Sequence, residues 1–153
     1  MRYIEAPDEY DGGGPAVFLA GGISDTGDWQ ATLVEQLRDT NLIVLNPRRR
    51  VFPTNDFDAG GQQIEWEWRY LERADLVAFW FPPQTLCPIA LFELGASCSS
   101  HKPLVVGSDP DYTRRFDLEV QLRLRRPEVE LHASINAVAQ TVVRLAAVGG
   151  QEQ

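Results

Sequence analysis

Glu93 and Glu67 are acids whose neighbours do not suit a solvated carboxylate. Glu93 stands in PIALFELGAS, Pro88 to Ser97, where almost every other residue is apolar or small. Glu67 stands in QQIEWEWRYLERAD, inside the stripe that Ile64, Trp68 and Leu71 form at helical spacing, whereas Glu65 and Glu72 fall where solvated acids belong. A desolvated carboxylate has its pKa raised unless a cation or hydrogen bonds restore the charged form, so each burial needs a compensating reason. Two such acids suggest a shared site where a sugar-like substrate could meet paired carboxylates. Structural readings stay open beside this one: an acid bonded to backbone or arginine at Glu93, and an ion pair with Arg69, Arg73 or the Arg48 to Arg50 run at Glu67.

The elements that must position these acids are legible as alternating patterns. AVFLA (Ala16 to Ala20), LIVL (Leu42 to Leu45), LVAFWF (Leu76 to Phe81) and LVVG (Leu104 to Gly107) are unbroken apolar runs, as in strands covered on both faces. Segments of helical length lie between and after them: Asp28 to Thr40, Gly61 to Ala74, Pro88 to Ser100, Tyr112 to Arg125 and, past a short VELH stretch, Ile135 to Ala147. This alternation predicts a single α/β domain, a parallel sheet of about five strands with helices on both faces. It spans residues 16–148, between a flexible N-terminal segment, 1–15, and a flexible tail, 149–153. Pro88 suits the first position of the third helix, which puts Glu93 about a turn and a half in. There it shares a face with Ile89, Ala90, Ala96 and Ser97, and that face is expected to look toward the sheet.

Ligands of such sheets sit beyond the carboxyl ends of the strands. The first of these loops, AGGISDTGDW, holds Gly21 and Gly22 but does not fit GxGxxG, and Asp25 and Asp28 would oppose a pyrophosphate there. Asn46, not an acid, closes the second strand where a ribose would be held, so no dinucleotide cofactor is expected. No His, Cys and carboxylate cluster has metal-ligand spacing, and His101 lacks the GxSxG turn of a hydrolase triad. With 153 residues, 44% apolar, the chain can bury a core, while a net charge of −8 disfavours nucleic acid and anionic membranes as partners. Two cysteines without a CxxC pattern, no membrane-length apolar run and no signal-peptide pattern at the start fit a soluble, cytoplasmic protein.

FLAGGI, QIEWEWRYLERADLVAFWF and PIALFELG followed by a strand and GSDPDY, in this order over roughly residues 16–118, resemble the nucleoside 2-deoxyribosyltransferases in their compact bacterial and phage-type branch. The resemblance implies a flavodoxin-like sheet and exchange of the base of a 2'-deoxynucleoside, with nucleosides and free nucleobases as small-molecule partners. It makes Glu93 the nucleophile that holds the sugar as a covalent ester, and Glu67 the carboxylate hydrogen-bonding nearby. Phe18, Gly21 and Gly22 would lie beneath base and sugar and Trp66 would form an aromatic wall, while base recognition, which lacks the family's usual acid here, is left to Asp25, Asp28 or loop backbone. Asp117 matches a polar residue that reaches a neighbouring subunit's sugar 5'-hydroxyl, which implies a homo-oligomer with shared active sites.

Departures from the family pattern bear on the same site. Cys87 replaces an acid six residues before the nucleophile, and Phe18 replaces a tyrosine hydroxyl that contacts it in some members. Arg48, with Arg49 and Arg50, instead suits a 5'-phosphate, as in related N-glycosidases that pass the sugar to water. A silent nucleoside-binding module is the third reading.

Overall fold

Unbroken apolar runs must be covered on both faces, and the sheet is built to do that. The computed structural model of the chain describes residues 1–53 and 55–149. Six parallel strands, β1 (Arg2–Glu5), β2 (Ala16–Gly21), β3 (Ile43–Asn46), β4 (Leu76–Phe81), β5 (Leu104–Ser108) and β6 (Leu131–His132), form one sheet in the order β1-β3-β2-β4-β5-β6. Helices α1 (Trp29–Gln36), α2 (Ala59–Arg73), α3 (Pro88–Cys98), α4 (Arg115–Arg125) and α5 (Ile135–Gly149) connect and cover them. None of the described helices is long and apolar enough to cross a membrane.

Alternation along the strands divides the core in two. Val17, Leu19, Ala78 and Trp80 pack with Trp29 and Leu33 of α1 and Val138 and Val142 of α5. Phe18, Ala20, Phe79 and Phe81 face the other way, onto Trp66 and Tyr70 of α2, Leu94 of α3 and Leu118 of α4. From β2 the chain steps through α1 to β3 on one side, then returns through α2 to β4 on the other. Strand order therefore reverses at β2, and the crevice for a ligand lies at its carboxyl end, on the α2–α3 face.

The sheet has six strands where the sequence suggested about five, and the additional one comes from the segment expected to be flexible. Arg2 to Glu5 pair in parallel with Ile43 to Asn46, and Ile4, Ala6 and Tyr10 are buried. RYIE offers one strongly apolar residue, too little to read as a strand; its order comes from α2. Tyr70 Oη accepts a hydrogen bond from the Tyr10 N–H (2.8 Å) and donates to Glu9 (2.6 Å), while Trp66 Nε1 donates to the Asp8 carbonyl (2.8 Å). Gly149 closes α5, and residues 150–153 of the expected flexible tail lie outside the described residues.

Two helix faces are rotated from the expected ones. On α2 the buried residues are Ala59, Trp66, Tyr70 and Leu71, while Ile64 and Trp68 are 67% and 68% exposed. The edge-on Trp66–Tyr70 pair, with centroids 4.7 Å apart, and the Trp66 contact with Phe18 at 6.1 Å claim the core. Such aromatic pairs bury large areas in preferred geometry, which sets the helix rotation. On α3 the buried residues are Ala90, Leu94 and Ser97, and Ile89 is 65% exposed.

Tyr70→Phe leaves the buried Tyr10 N–H without its acceptor. We expect a loss of about 1–3 kcal/mol in urea unfolding; an unchanged midpoint would show that the N-terminal strand does not depend on this bond.

Candidate active site

A cleft of about 500 Å³ opens at the carboxyl end of β2. Phe18, Ala20, Gly21 and Gly22 form its floor, α2 contributes Gln63 and Glu67, and the first turns of α3 contribute Pro88, Ile89, Ala90 and Glu93. The loop after β3 closes the far side with Pro47, Arg49 and Phe52. The glycines serve packing as well as access. Gly21 has φ +154°, and a Cβ on it would lie 2.2 Å from the Trp80 carbonyl oxygen; one on Gly22 would lie 2.7 Å from Cys87 Sγ.

Glu93 and Glu67 meet in this cleft, one from each helix. Burial pushes the Glu93 carboxyl up to about 7, and the charge of Glu67 pushes in the same direction. Glu93 receives no hydrogen bond among the described residues, and Phe18, which lines the same cleft, has no hydroxyl to give. Burial also raises Glu67, opposed by a hydrogen bond from Gln63 Nε2 (2.7 Å) and by the Arg49 charge. The same Gln63 amide donates to the Pro47 carbonyl (2.7 Å), which fixes the side chain that orients Glu67. Glu67 is in no ion pair among the described residues: Arg69 pairs with Glu9, and Arg73 lies over the rings of Tyr10 and Tyr70. A carboxylate with a pKa near 7 and few hydrogen bonds is basic and poorly solvated, which suits covalent attack on carbon.

The remaining residues singled out in the sequence take other positions. Cys87 lines the cleft from a left-handed backbone (φ 50°) just before α3, and burial pushes its thiol up to about 11, so it stays neutral. The Trp66 ring lies behind Phe18, outside the cleft lining. Asn46 donates to Tyr3 Oη (2.9 Å) and accepts from the Arg48 N–H (3.0 Å). Arg48 is committed to the first loop: Nε donates to Gln30 (2.9 Å), and Nη2 to the Ile23 carbonyl and Thr26 Oγ1 (both 2.8 Å). Asp25 is exposed with φ 58°, and Asp117 is exposed on α4, 3.4 Å from Arg114. The structure therefore brings Phe18, Gly21, Gly22, Glu67 and Glu93 together, and leaves Trp66, Asn46, Arg48, Asp25 and Asp117 outside the cleft.

Sequence reasoning passed over Gln63 and the particular role of Arg49. Gln63 precedes Glu67 by four residues, the spacing that stacks side chains on one helix face, so a signal for it existed. Arg49 is one of three consecutive arginines, and only the path of the chain past β3 selects it. Pro47 and Arg49 reach the cleft, whereas Arg50 pairs with Glu5 (3.2 Å) on the β1 side.

A sheet of flavodoxin order with an added edge strand thus carries two desolvated carboxylates beside two glycines at its strand-order reversal, the place where folds of this kind hold ligands. Residues 14–112 match the family described as nucleoside 2-deoxyribosyltransferase like, and the chain belongs to that family. No curated protein matches the chain. Among solved structures, a 2-deoxyribosyltransferase from the psychrotolerant bacterium Bacillus psychrosaccharolyticus, described as a biocatalyst for the synthesis of antiviral and antitumoral nucleosides, is similar with a TM-score of 0.61. The two are 16% identical, and the match covers 81% of this chain and 90% of that one, a likeness of fold.

The Glu93 titration predicts a pH dependence of stability. Its pKa rises from 4.5 to about 7 on folding, so between these values the folded state holds more proton than the unfolded chain, and stability falls as pH rises. Relative to Glu93→Gln, the wild type should lose on the order of 1–3 kcal/mol between pH 4.5 and pH 8. Urea unfolding of both proteins at the two pH values checks this, and parallel stabilities would show that Glu93 is not desolvated.

Proposed function

We propose that this protein is a nucleoside 2'-deoxyribosyltransferase working through a covalent sugar ester on Glu93. The observation that carries the reading is the desolvated Glu93 carboxylate, without a hydrogen-bond donor, facing a sugar-sized cleft beside the Gln63-oriented Glu67. A Glu93 oxygen attacks C1', the C1'–N bond breaks, and the base departs with the bonding pair and then takes a proton. An incoming base attacks C1' with its ring nitrogen, the ester C–O bond breaks, the base gives up its ring N–H proton, which balances the one taken up by the departing base, and the Glu93 carboxylate is regenerated. The negative charge of Glu67 keeps Glu93 basic and so nucleophilic, and its oxygen is available to a sugar hydroxyl. Two displacements of this kind replace one harder step.

Activity should therefore rise with pH through about 7, the ionisation of Glu93. Glu93→Ala should lose turnover by at least roughly a thousandfold, as expected when a nucleophile is removed. Wild type given a deoxynucleoside without acceptor should show a deoxyribosyl adduct on Glu93 by mass spectrometry, and a second base should yield a new nucleoside. Base release into water at the same rate without acceptor would make the enzyme an N-glycosidase, and an adduct on another residue would remove Glu93 from the mechanism.

The reading includes a homo-oligomer in a reducing cytoplasm. Support for assembly comes from apolar side chains left exposed on the helices of one sheet face: Ile64 and Trp68 on α2, Ile89 and Phe92 on α3, and Phe116 beside Asp117 on α4. Cys87 and Cys98 are both free thiols, which suits a reducing compartment. Light scattering should give a multiple of the chain mass, and Trp68→Glu should reduce both mass and activity. A fully active monomer would overturn the assembly.

A further inference from the structure

Arg49 carries donors that the protein does not use. Its Nε and Nη2 are buried and have no hydrogen-bond partner among the described residues, although the side chain lines the cleft with Glu67 and Glu93. A guanidinium taken out of water without acceptors is costly, so a partner is expected. Glu67 feels the Arg49 charge, yet the two form no ion pair among the described residues. Nε–H and the neighbouring Nη2–H project from one edge of the guanidinium plane. That edge holds two oxygens of an oxyanion side by side, the geometry in which arginine binds phosphate or carboxylate bidentately. The Phe52 ring lies against the face of the group, 5.5 Å from Arg49 Cζ.

The other charged residues at this end of the sheet do not compete for the role. Arg48 is bonded to the first loop and Arg50 to Glu5, while Asp117 lies outside the cleft lining. We infer that Arg49 is a specificity-determining residue that binds the 5'-phosphate of a 2'-deoxynucleoside 5'-monophosphate, making the phosphorylated form the preferred substrate. The inference rests on the glycosyl-transfer reading of the cleft. Gln63 Oε1 is also buried without a donor, so a direct Arg49–Gln63 bond is the internal alternative. Bidentate contact with O6 and N7 of a guanine base is the alternative on the substrate side.

The test compares kcat/KM for deoxyadenosine 5'-monophosphate and deoxyadenosine, and for the guanine pair, in wild type, Arg49→Gln and Arg49→Lys. Wild type should favour the monophosphates, and Arg49→Gln should lower the monophosphate-to-nucleoside ratio at least tenfold for both bases. Arg49→Lys should fall between, since it keeps the charge without the two-donor edge. A ratio near or below one in wild type, a ratio unchanged in Arg49→Gln as an Arg49–Gln63 bond would give, or a loss confined to guanine substrates overturns the inference. Binding decides the case in which wild type turns over neither form. Glu93→Gln should then be raised in Tm more by deoxyadenosine 5'-monophosphate than by deoxyadenosine, and adding Arg49→Gln should abolish the difference. Equal shifts, or none, overturn the inference in that case too.

Discussion

Keeping a carboxylate out of water at Glu93 is the constraint around which the site is arranged. Its pKa near 7 arises from two sources acting in the same sense, burial and the charge of Glu67. Neither is local to α3. Burial comes in a cleft that Phe18 and Ala20 of β2 also line, while Glu67 comes from the preceding helix and is held by Gln63, itself held by the Pro47 carbonyl. The tension at one carboxyl group therefore depends on the placement of β2, the exit of β3, α2 and α3. A fold that brings consecutive βα units to one strand-order reversal supplies those elements within a short chain.

Close packing at that reversal fixes how near α3 can approach. Gly21 passes so close to the Trp80 carbonyl that no side chain fits, and Gly22 makes room for Cys87 Sγ just before the helix begins. Cys87 in turn accepts a left-handed backbone, an arrangement that a non-glycine residue keeps only where the surroundings determine it. The opposite layer contributes as well. Trp29 Nε1 donates to the Gly22 carbonyl (2.7 Å), and Arg48 ties down Ile23 and Thr26, so the first loop is held from the α1 side while its other side lines the cleft. Arg48, a candidate ligand in the sequence, thus acts by keeping that loop in place.

The parts of this arrangement that were legible in the sequence are those that rest on chemical type and regular spacing. Continuous apolar runs gave four central strands, Pro88 marked the start of α3, and acids in apolar surroundings singled out Glu93 and Glu67. What was not legible depends on contacts between distant segments. RYIE becomes an edge strand because Tyr70 and Trp66 bind the chain that follows it, and nothing within four residues encodes that. The rotation of α2, which turns Trp66 inward and Trp68 outward, depends on where Phe18 and Tyr70 offer space. Three adjacent arginines look alike until the backbone path separates the one in the cleft from the two committed elsewhere.

Electrostatics at two ranges act on such a site in opposite directions, and distance decides between them. The chain carries −8 overall, and Glu67 and Glu93 add local negative charge, so an anionic sugar would be repelled by the average field. Exposed charges more than about 8 Å away are largely screened at physiological ionic strength, which removes most of that repulsion. Groups inside the cleft are screened much less, and at contact range a charge-assisted hydrogen bond contributes roughly 1.5–3 kcal/mol. Glu93 is protonated through much of the range below about pH 7, which removes one of the two nearby negative charges while a ligand enters. At contact range the charge-assisted hydrogen bonds of a guanidinium can therefore outweigh a screened average field, and composition alone does not decide which ligands such a protein admits.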